Sequence, residues 1–439
     1  MPKAAILSTG TEILQGLYPD TNAQWLSTQL SDMGIDVVCH MAAPDHHEAV
    51  AEALRALIEK ADLVIMTGGL GPTEDDLNRQ AIAEVFACGL AEDAEAWERI
   101  ERRFLHRGGV PPRSNQIQCQ IPDTARVLQN DWGTAPGFII ESERASLIAM
   151  PGPPRENRPM FEKYLRKSLG EEFGGGRSSR VRTLHTFGIS ESKLNDHLRD
   201  LFVDLRDHPE QKIAFLAGQA RVDIRLTALG DRPADVTKRL SNLSRRVKRR
   251  LPEGYLYGKD DDTLESVVQD LLTQRGLTLA TAESCTGGLV SKRLTDNPGS
   301  SAFFKDGTVT YSNEAKHKRL GVKNKTLCEH GAVSPEVAAE MALGSLGSAN
   351  ADIAVSITGI AGPGGGRENK PVGLVYYGIA WNSQSVEVSD LEACQEVGVL
   401  RVATTMTCFP SGREMVRLFA SHRALDLARR LVSGLPLEI

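Results

Sequence analysis

A serine, a lysine and a tyrosine in the C-terminal third of the sequence have the residue types needed to hydrolyse an amide or an ester. Ser284 lies in AESCTGG, and Tyr311 and Lys316 lie in TYSNEAK, with the tyrosine five residues before the lysine. A serine hydroxyl becomes a nucleophile only when a base takes its proton. A lysine whose pKa is lowered by burial can be that base. The three side chains could therefore form a proton-relay cluster.

The glycines that follow Ser284 predict a turn into a helix with free backbone amides. We expect LTLATAES to be a strand and Thr286, Gly287 and Gly288 to open the helix. Such amides can hold a phosphate or the oxyanion of a tetrahedral intermediate. The alternative is that Ser284 only caps the helix and Lys316 lies on a solvated face. Cys285 has no partner histidine close by in the sequence, and we expect it to be a small buried side chain.

Glycine turns beside carboxylates in the N-terminal third suggest a second site. TGGLGPTEDD contains Asp75 and Asp76, while STGTE and DTN contain Glu12, Asp20 and Asn22. Glycines let backbone amides approach phosphates closely, and carboxylates bind Mg²⁺-type ions that bridge phosphate oxygens. The alternative is that Asp75 and Asp76 cap the helix that follows.

Alternating strand and helix patterns predict an α/β fold around both groups. Apolar runs at 3–10, 35–42 and 61–69 read as strands, with helices at 20–34 and 46–60. This alternation predicts a parallel sheet with helices on both faces and ligands at the carboxyl ends of its strands. In the last third we predict helices at 263–274, 313–321, 334–347 and 413–432, and strands at 277–284, 307–312, 351–359, 372–381 and 385–392.

The length and composition indicate several globular domains. A chain of 439 residues suggests about three, and we place them at 1–170, 178–252 and 258–439, with a Gly/Ser-rich linker at 170–180.

The 51 basic and 57 acidic residues argue against a nucleic-acid coating role. A basic cluster at 245–250 reads as a solvated helix face. No apolar run is long enough to span a bilayer. The seven scattered cysteines contain no CxxC pair, which argues against a zinc site or disulfide framework and favours a cytoplasmic location.

The C-terminal motifs resemble the nicotinamide-nucleotide amidase domain of CinA-like proteins. The matching segments, in order, are AESCTGG, GTVTYSNEAKHKRLGV, HGAVSPEVAAEMA, ADIAVSITGIAGPGGG and KPVGLVYYGI. The resemblance implies a Ser/Lys amidase that converts nicotinamide mononucleotide to nicotinate mononucleotide and ammonia without a cofactor. It implies that Ser284 is the nucleophile and Lys316 the base, that Tyr311 assists the relay and that Thr358 lines the site.

Two features of the C-terminal domain concern anion binding. The amides of Thr286 to Gly288 are our candidates for oxyanion or phosphate contact. Arg413 and Arg417 match family arginines that follow a Phe-Pro-Gly-Asp stretch and could hold phosphate or a neighbouring subunit. This chain reads FPSGR there, so Ser411 and Gly412 depart from the pattern.

The N-terminal motifs STGTEIL, DTNAQWL, TGGLGPTEDDL, NQIQCQIP, GTAPGF and MPGPPRE resemble the molybdopterin-binding-like domain of the same family. The resemblance implies an α/β sandwich that hydrolyses ADP-ribose to AMP and ribose 5-phosphate with a divalent ion (Mg, Mn or Co) and K⁺. The implied metal ligands are Glu12, Asp20, Asp75 and Asp76, the last two also being candidate water-activating groups. The implied substrate-binding residues are Asn22, Gly68, Gly69, Gly71, Thr73 and Arg155, with Gly133, Thr134 and Gly152 as further candidates. Tyr18 and Pro19 depart from the small or apolar residues usual there.

The middle segment is expected to be a KH-like α+β unit that connects the other two. It contains LAGQAR in place of a GxxG loop, so we expect no RNA binding. The combined hypothesis is a bifunctional pyridine-nucleotide recycling enzyme that acts as a homodimer, with no membrane or nucleic-acid partner. One alternative is an amidase with a non-catalytic nucleotide- or pterin-binding N-terminal module. Another is a competence-associated adaptor.

Overall fold

The computed structural model describes residues 2–173, 178–218, 220–386 and 394–437. It divides into two compact units, Met1–Val181 with Thr227–Leu240 and Arg182–Leu226 with Ser241–Ile439. The centre of the predicted linker, 174–177, and most of the predicted strand at 385–392 lie outside the described residues. The ends of that linker are regular structure, because 170–172 complete a helix and 178–180 begin a strand. No helix in the described ranges is both long and apolar enough to cross a membrane.

The N-terminal part of the chain forms a six-stranded sheet in the order β2-β1-β3-β8-β7-β6 and a separate two-stranded sheet, β4-β5. The strands are β1 (Lys3–Thr9), β2 (Asp36–Ala43), β3 (Leu63–Thr67), β4 (Leu90–Glu92), β5 (Gln120–Pro122), β6 (Arg126–Leu128), β7 (Gly137–Ile140) and β8 (Ser146–Met150). The helices are α1 (Thr11–Leu14), α2 (Thr21–Asp32), α3 (His47–Ile58), α4 (Asn78–Val85), α5 (Ala94–Leu105), α6 (Pro154–Tyr164) and α7 (Arg166–Glu172), with a 3₁₀ turn at Arg113–Cys119.

Alternating side chains of β1 explain why helices cover both faces of this sheet. Ala5 and Leu7 pack in a cluster with residues of α3 and α4, whereas Ala4 and Ile6 pack with residues of α2 and α6. Burying each large aliphatic side chain contributes about 1.5–3 kcal/mol. The predicted layers are therefore confirmed, but the sheet is mixed rather than parallel. β6, β7 and β8 pair antiparallel because their connections are too short for a crossover helix.

The middle segment forms a four-stranded sheet in the order β10-β11-β9-β12 with two helices. Its elements are β9 (Ser178–Thr186), α8 (Glu191–Asp204), β10 (Gln211–Gly218), β11 (Arg221–Gly230), α9 (Pro233–Lys248) and β12 (Leu256–Lys259), with a 3₁₀ turn at Leu205–Asp207. This is an α+β arrangement, as predicted. Arg246 in α9 and Arg250, two residues after its end, form ion pairs with Asp204 and Asp200 respectively.

The C-terminal segment forms a second six-stranded sheet in the order β14-β13-β15-β16-β18-β17. Its strands are β13 (Leu279–Glu283), β14 (Phe304–Val309), β15 (Ile353–Gly359), β16 (Leu374–Asn382), β17 (Cys394–Val397) and β18 (Leu400–Cys408). Its helices are α10 (Leu264–Arg275), α11 (Leu289–Thr295), α12 (Asn313–Leu320), α13 (Asn324–His330), α14 (Pro335–Ala349) and α15 (Arg413–Ser433), with a 3₁₀ turn at Ser300–Ala302.

The pairing of this sheet positions the candidate nucleophile. β13 pairs in parallel with β14 on one side and β15 on the other, so the carboxyl ends of all three strands meet at one edge. Ser284 follows β13 and donates its amide to the carbonyl of Ile357 in β15. The long helix α15 packs its apolar residues, Val416 and Ala420 among them, into the main core of this domain. The predicted strand 307–312 begins and ends earlier, at Phe304–Val309.

Candidate active sites in the two catalytic-type domains

Ser284 and Lys316 meet at the carboxyl edge of the C-terminal sheet. The Nζ atom of Lys316 lies 2.9 Å from the Oγ atom of Ser284 and donates a second hydrogen bond of 2.8 Å to the carbonyl of Thr310. Ser284 is 8% exposed and Lys316 is 1% exposed. The lysine therefore lies on the buried face of its helix, so the alternative of a solvated lysine is wrong.

The surroundings of Lys316 favour its neutral form. Burial lowers the pKa of its amine from 10.5 to about 8. A neutral amine has one lone pair, so it can donate to Thr310 and accept the proton of Ser284 at the same time. The lysine is placed by α12, which begins with the hydroxyl of Ser312 accepting from the amide of Ala315. The pair thus has the geometry and the protonation behaviour of a nucleophile with its base.

The carboxylate of Glu283 bonds to backbone amides at the start of α11, the helix that follows Ser284. This changes the prediction that the amides of Gly287 and Gly288 are free. The Glu283 carboxylate is completely buried and accepts the amides of Gly288, Val290 and Ser291, together with the Ser291 hydroxyl. The amide of Gly287 donates to the carbonyl of Ser284. Gly287 and Gly288 are therefore corrected from free donors to donors already bonded within the protein.

Two other amides near the nucleophile remain available. Among the described residues, no backbone carbonyl receives the N–H of Cys285 or of Thr286, and the Cys285 N–H contacts only the sulfur of its own side chain. Continuing the β13–β14 ladder would pair the Cys285 amide with the Thr310 carbonyl, but Lys316 bonds to that carbonyl instead. Thr286 thus remains a candidate oxyanion donor, and Cys285 joins it through its amide. The Cys285 thiol is buried, which raises its pKa to about 12, as expected for an inert side chain.

Tyr311 lies away from the proton relay predicted for it. Its side chain is 63% exposed, and its hydroxyl accepts a 3.2 Å hydrogen bond from Arg413 rather than bonding to Ser284 or Lys316. Arg413 also donates to the carbonyl of Gly362 at 2.8 Å. The correction has a simple cause, since Tyr311 lies two residues after the end of β14 and is exposed to solvent, whereas the first turn of α12 carries Lys316 back to the sheet.

Arg417 and Thr358 also lie at this edge of the sheet. Arg417 donates to the carbonyl of Thr286 at 2.8 Å, which connects α15 to the turn after the nucleophile. Thr358 is 1% exposed, and its hydroxyl donates to the carbonyl of Ala332 at 2.7 Å. The threonine therefore supports the wall of the site through the segment before α14. Arg413 and Arg417 lie beside the site although Ser411 and Gly412 depart from the family's Phe-Pro-Gly-Asp pattern.

The N-terminal candidates line a separate cleft of about 710 Å³. It lies at the carboxyl ends of β1, β3 and β8, where parallel α/β sheets bind ligands. Six carboxylates line it, namely Glu12, Asp20, Asp45, Asp75, Asp76 and Glu156. Asn22, Gly68, Gly69, Gly71, Thr134 and Gly152 line the same cleft, so most of the predicted substrate-binding residues are brought together.

Asp76 holds the glycine loop in shape. Its two carboxylate oxygens accept the amide of Gly71 at 2.8 Å and the amide of Thr73 at 2.8 Å, and the Thr73 hydroxyl also donates to it. From the other side, the buried guanidinium of Arg79 donates to the carbonyls of Leu70 and Gly71. The peptide between Leu70 and Gly71 is thus held at both ends. Asp76 and Thr73 are therefore committed to loop geometry.

The loop glycines are required by close packing. A Cβ atom at Gly68 would lie 2.4 Å from the carbonyl oxygen of Thr9, and one at Gly69 would lie 2.1 Å from the side chain of Asn78. Both glycines also have positive φ angles, 104° and 59°. Side-chain-bearing residues are strained in such conformations.

Three more carboxylates of the cleft hold local structure. Asp20 caps α2 by accepting the amide of Ala23, and Asp45 accepts the amide and hydroxyl of Thr11. Glu156 is 8% exposed and accepts from the side chain of Asn130. Glu12 and Asp75 are the two predicted ligands that remain exposed to solvent. Arg155 has an 85% exposed side chain and does not line the cleft, which corrects its predicted role.

The carboxylates of the cleft suit a divalent cation, but they do not by themselves form a complete set of ligands for one. No group of three or more His, Cys, Asp or Glu side chains within the described ranges is arranged to hold a metal ion. The predicted ligand set Glu12, Asp20, Asp75 and Asp76 therefore does not form a metal cage made by protein alone. Carboxylate oxygens are nevertheless the ligands that Mg²⁺ accepts, and Mg²⁺ is commonly held by one or two carboxylates together with substrate phosphates. The residues fit an ion of that kind.

Several residues of the two sites were not anticipated. They are Glu283, Arg79, Asp45 and Glu156, each of which holds a loop that borders a site. A charged residue inside the apolar strand LATAE is the one sequence signal that could have identified Glu283. The roles of the others depend on contacts between residues distant in sequence.

Three family models match the chain along nearly its whole length. A model described as probable molybdopterin binding domain matches residues 5–171, one described as damage-inducible protein CinA KH domain matches 181–258, and one described as CinA C-terminal domain matches 261–432.

Two relatives match this chain over nearly the full length of both chains. A protein of Caldanaerobacter subterraneus subsp. tengcongensis, named as a competence-damage inducible protein, is 41% identical over 97% of this chain and 100% of its own. A protein of the same name from Symbiobacterium thermophilum is 42% identical over 98% of this chain and 99% of its own. A solved structure of the competence/damage inducible protein CihA from Agrobacterium tumefaciens is 39% identical and covers 38% of this chain and 94% of its own, with a TM-score of 0.34. The chain belongs to the CinA family of competence-damage inducible proteins.

Proposed function

We propose that this protein is a hydrolase with two separate active sites, and that its C-terminal site removes the amide nitrogen of nicotinamide mononucleotide. The observation that carries the proposal is the 2.9 Å contact between Ser284 and a fully buried Lys316 whose pKa is lowered to about 8. A serine hydroxyl bonded to a neutral amine can attack a carbonyl carbon.

In the first half of the proposed reaction, neutral Lys316 takes the Ser284 proton as Oγ bonds to the carboxamide carbon. The resulting oxyanion accepts hydrogen bonds from the amides of Cys285 and Thr286. The C–N bond then breaks, and protonated Lys316 gives its proton to the departing nitrogen, which leaves as ammonia. The product of this half is an ester between Ser284 and the acyl group.

In the second half, water replaces the amine. Lys316 takes a proton from water, hydroxide adds to the ester carbon, and the same amides hold the second oxyanion. The ester bond breaks, Ser284 recovers its proton from Lys316, and the acid product leaves as a carboxylate after giving its proton to solvent. Each turnover consumes one water and releases one ammonia, and the serine and lysine return to their starting states.

The arginines at the start of α15 are the candidates for binding the substrate phosphate. Arg413 is exposed, and Arg417 lies next to the turn that contains Thr286. With Gly288, Val290 and Ser291 bonded to Glu283, the start of α11 is not available for a phosphate. A guanidinium recognises phosphate through several parallel hydrogen bonds.

For the N-terminal cleft we propose hydrolysis of ADP-ribose to AMP and ribose 5-phosphate. Its six carboxylates would repel a pyrophosphate unless a cation were present, and a divalent ion would supply charge neutralisation and polarise a phosphoryl oxygen when bound. Glu12 and Asp75 are the carboxylates we expect to contact that ion, because they are the two predicted ligands that are exposed to solvent. Asp76 and Arg79 keep the 70–73 loop in its shape.

Chromatography of the products from each substrate, supplied separately, tests both proposals. Wild-type protein should convert nicotinamide mononucleotide to its acid and, with a divalent ion, ADP-ribose to AMP. Ser284→Ala should lose only the first reaction and Asp75→Asn only the second. A Ser284→Ala protein that still deamidates its substrate would refute the first assignment. Tight binding of ADP-ribose without AMP release would replace the second with a binding module.

A further inference from the structure

A second cavity, in the C-terminal unit, is distinct from the site around Ser284. It has a volume of about 850 Å³ and lies between the segment that follows β9, the turn of the β10–β11 hairpin, strands β16 and β18, and helix α15. Its lining includes neither Ser284 nor Lys316. The chemistry of its walls is unusual in two respects, charge and aromatic content.

One wall carries an excess of buried positive charge. Arg423 lines the cavity and is 5% exposed. It forms a cluster with Arg429 and Arg430, and all three guanidinium groups share the single, completely buried carboxylate of Asp426. Arg423 makes the longest of these contacts, 3.4 Å, and its other terminal nitrogen donates to the carbonyl of Leu437. A buried charge is costly unless it is paired, and an anion in the cavity would pair this one.

A second cation, Arg221, also lines the cavity. Arg221 contacts Asp223 at 3.2 Å, and Asp223 also bonds His185 at 2.8 Å. The second ring nitrogen of His185 lies 2.8 Å from the carbonyl oxygen of Asp260. Both ring nitrogens thus face acceptors, and the hydrogen bond with Asp223 raises the pKa of the imidazole. Here, too, one carboxylate is shared between two basic side chains.

The remaining walls suit a flat ring. Phe409 and Phe419 line the cavity and stack with centroids 5.2 Å apart and planes inclined by 15°. Thr405 and Thr407 of β18 also line the cavity, and their hydroxyls can bond to the edge of a ligand. Aromatic side chains provide surfaces on which nucleobases stack.

We propose that this cavity is a nucleotide-binding site, with the base against Phe409 and Phe419 and the phosphate between Arg423 and Arg221. The proposal does not depend on the activities proposed above. Helix α15 connects the two places, because it carries Arg413 and Arg417 at its start and Arg423 in the cavity wall. A nucleotide bound here would thus act on the helix that borders the Ser284 site.

Photolabelling of the full chain with 8-azido-AMP tests the proposal. Irradiation should label the tryptic peptides 402–413 or 418–423, which contain Phe409 and Phe419. AMP should compete at least tenfold better than adenosine, because the phosphate supplies the contact with the arginines. Inorganic phosphate alone should compete weakly, because it lacks the ring. Equal competition by adenosine and AMP would contradict the arginine contact.

Substitutions test whether the labelling depends on residues of the cavity rather than on the rest of the surface. Arg221→Gln and Phe419→Leu should each reduce labelling of these peptides about tenfold, since both side chains are partly exposed and neither completes the core. Arg199→Gln, at a 73% exposed arginine paired with Asp196, is the matched control and should label as the wild type. The proposal would be overturned if the wild type showed no labelling of the two peptides. It would also be overturned if both variants labelled these peptides as strongly as the wild type does.

Discussion

Lys316 Nζ lies 2.9 Å from Ser284 Oγ in a place where both residues are almost inaccessible to water. The lysine comes from the first turn of α12 and the serine from the end of β13, so the contact depends on the parallel pairing of β13 with β14. Burial makes the amine a usable base near neutral pH, because its charged form is the one that desolvation disfavours. The same burial links activity and stability to pH.

Amidase activity should rise with pH through about 8, as Lys316 loses its proton. Lys316→Met should reduce kcat/KM by about 10²–10⁴-fold, the usual contribution of a general base. Lys316→Arg is the sharper variant, since it keeps the positive charge but cannot release a proton at these pH values. Steady-state rates from pH 6 to 10 measure this. A profile without an inflection near pH 8, or an active Lys316→Arg protein, would contradict the assignment.

The same lysine should make the fold more stable as the pH rises from about 8 towards 10.5. Its folded pKa is lowered, so in that interval the unfolded chain binds more protons than the folded one, and stability increases with pH. Below pH 8 both states are protonated and the cost of burying the charge is complete. Denaturant titrations of wild type and Lys316→Met should therefore diverge most below pH 8, with the variant lacking this pH dependence.

Glu283→Gln should damage the fold around the nucleophile. The variant loses an ionised acceptor of four hydrogen bonds and introduces an amide donor among donors. We expect a loss of about 2–3 kcal/mol in the free energy of unfolding and a larger fall in kcat than rise in KM. Ser291→Ala, which removes one of the four donors, should cost about 1 kcal/mol. Equal stabilities of Glu283→Gln and wild type would show that the carboxylate does not hold the helix start.

Tyr311 and Arg413 should affect substrate affinity rather than proton transfer. Because the Tyr311 hydroxyl bonds to Arg413 and not to Lys316, Tyr311→Phe should raise KM for nicotinamide mononucleotide several-fold and leave kcat within about twofold. Arg413→Ala should raise KM further. A large fall in kcat for Tyr311→Phe, with KM unchanged, would restore the relay role that the sequence predicted for this tyrosine.

Asp75 and Asp76 should differ although they are neighbours. Asp76→Asn is expected to raise KM for ADP-ribose and lower the stability of the N-terminal domain by about 1–3 kcal/mol, because its oxygens hold the amides of Gly71 and Thr73. Asp75→Asn should leave stability unchanged and lower kcat and the affinity for Mn²⁺, measured by electron paramagnetic resonance. Weaker Mn²⁺ binding in Asp76→Asn at full stability would reverse the two roles.

The sequence predicted well what depends on local pattern. Apolar periodicity located β1, α2, α3 and β3 to within a few residues, and the AESCTGG and TYSNEAK motifs identified the two residues that meet at the C-terminal site. The sequence predicted the edge strands less well, where no helix connects one strand to the next. The antiparallel strands β6 and β7 and the hairpin of β17 and β18 were not anticipated, since short strands carry little periodicity.

The sequence could not show which polar groups were already occupied. Gly288 was predicted to be a free amide donor and Asp76 a metal ligand because their residue types suit those roles. Glu283 and Thr73 turn out to be their partners. Such pairings depend on backbone positions to within about an ångström, because a hydrogen bond weakens steeply with distance and angle. No motif specifies them.

Rapid-quench mass spectrometry of the peptide that contains Ser284 and Cys285 tests the central claim most directly. During turnover of nicotinamide mononucleotide, the account predicts a transient ester of the nicotinoyl nucleotide on Ser284. The adduct should be absent in Ser284→Ala and should form slowly in Lys316→Met. An adduct on Cys285, or full turnover by Ser284→Ala, would contradict the assignment of Ser284 as nucleophile and Lys316 as its base.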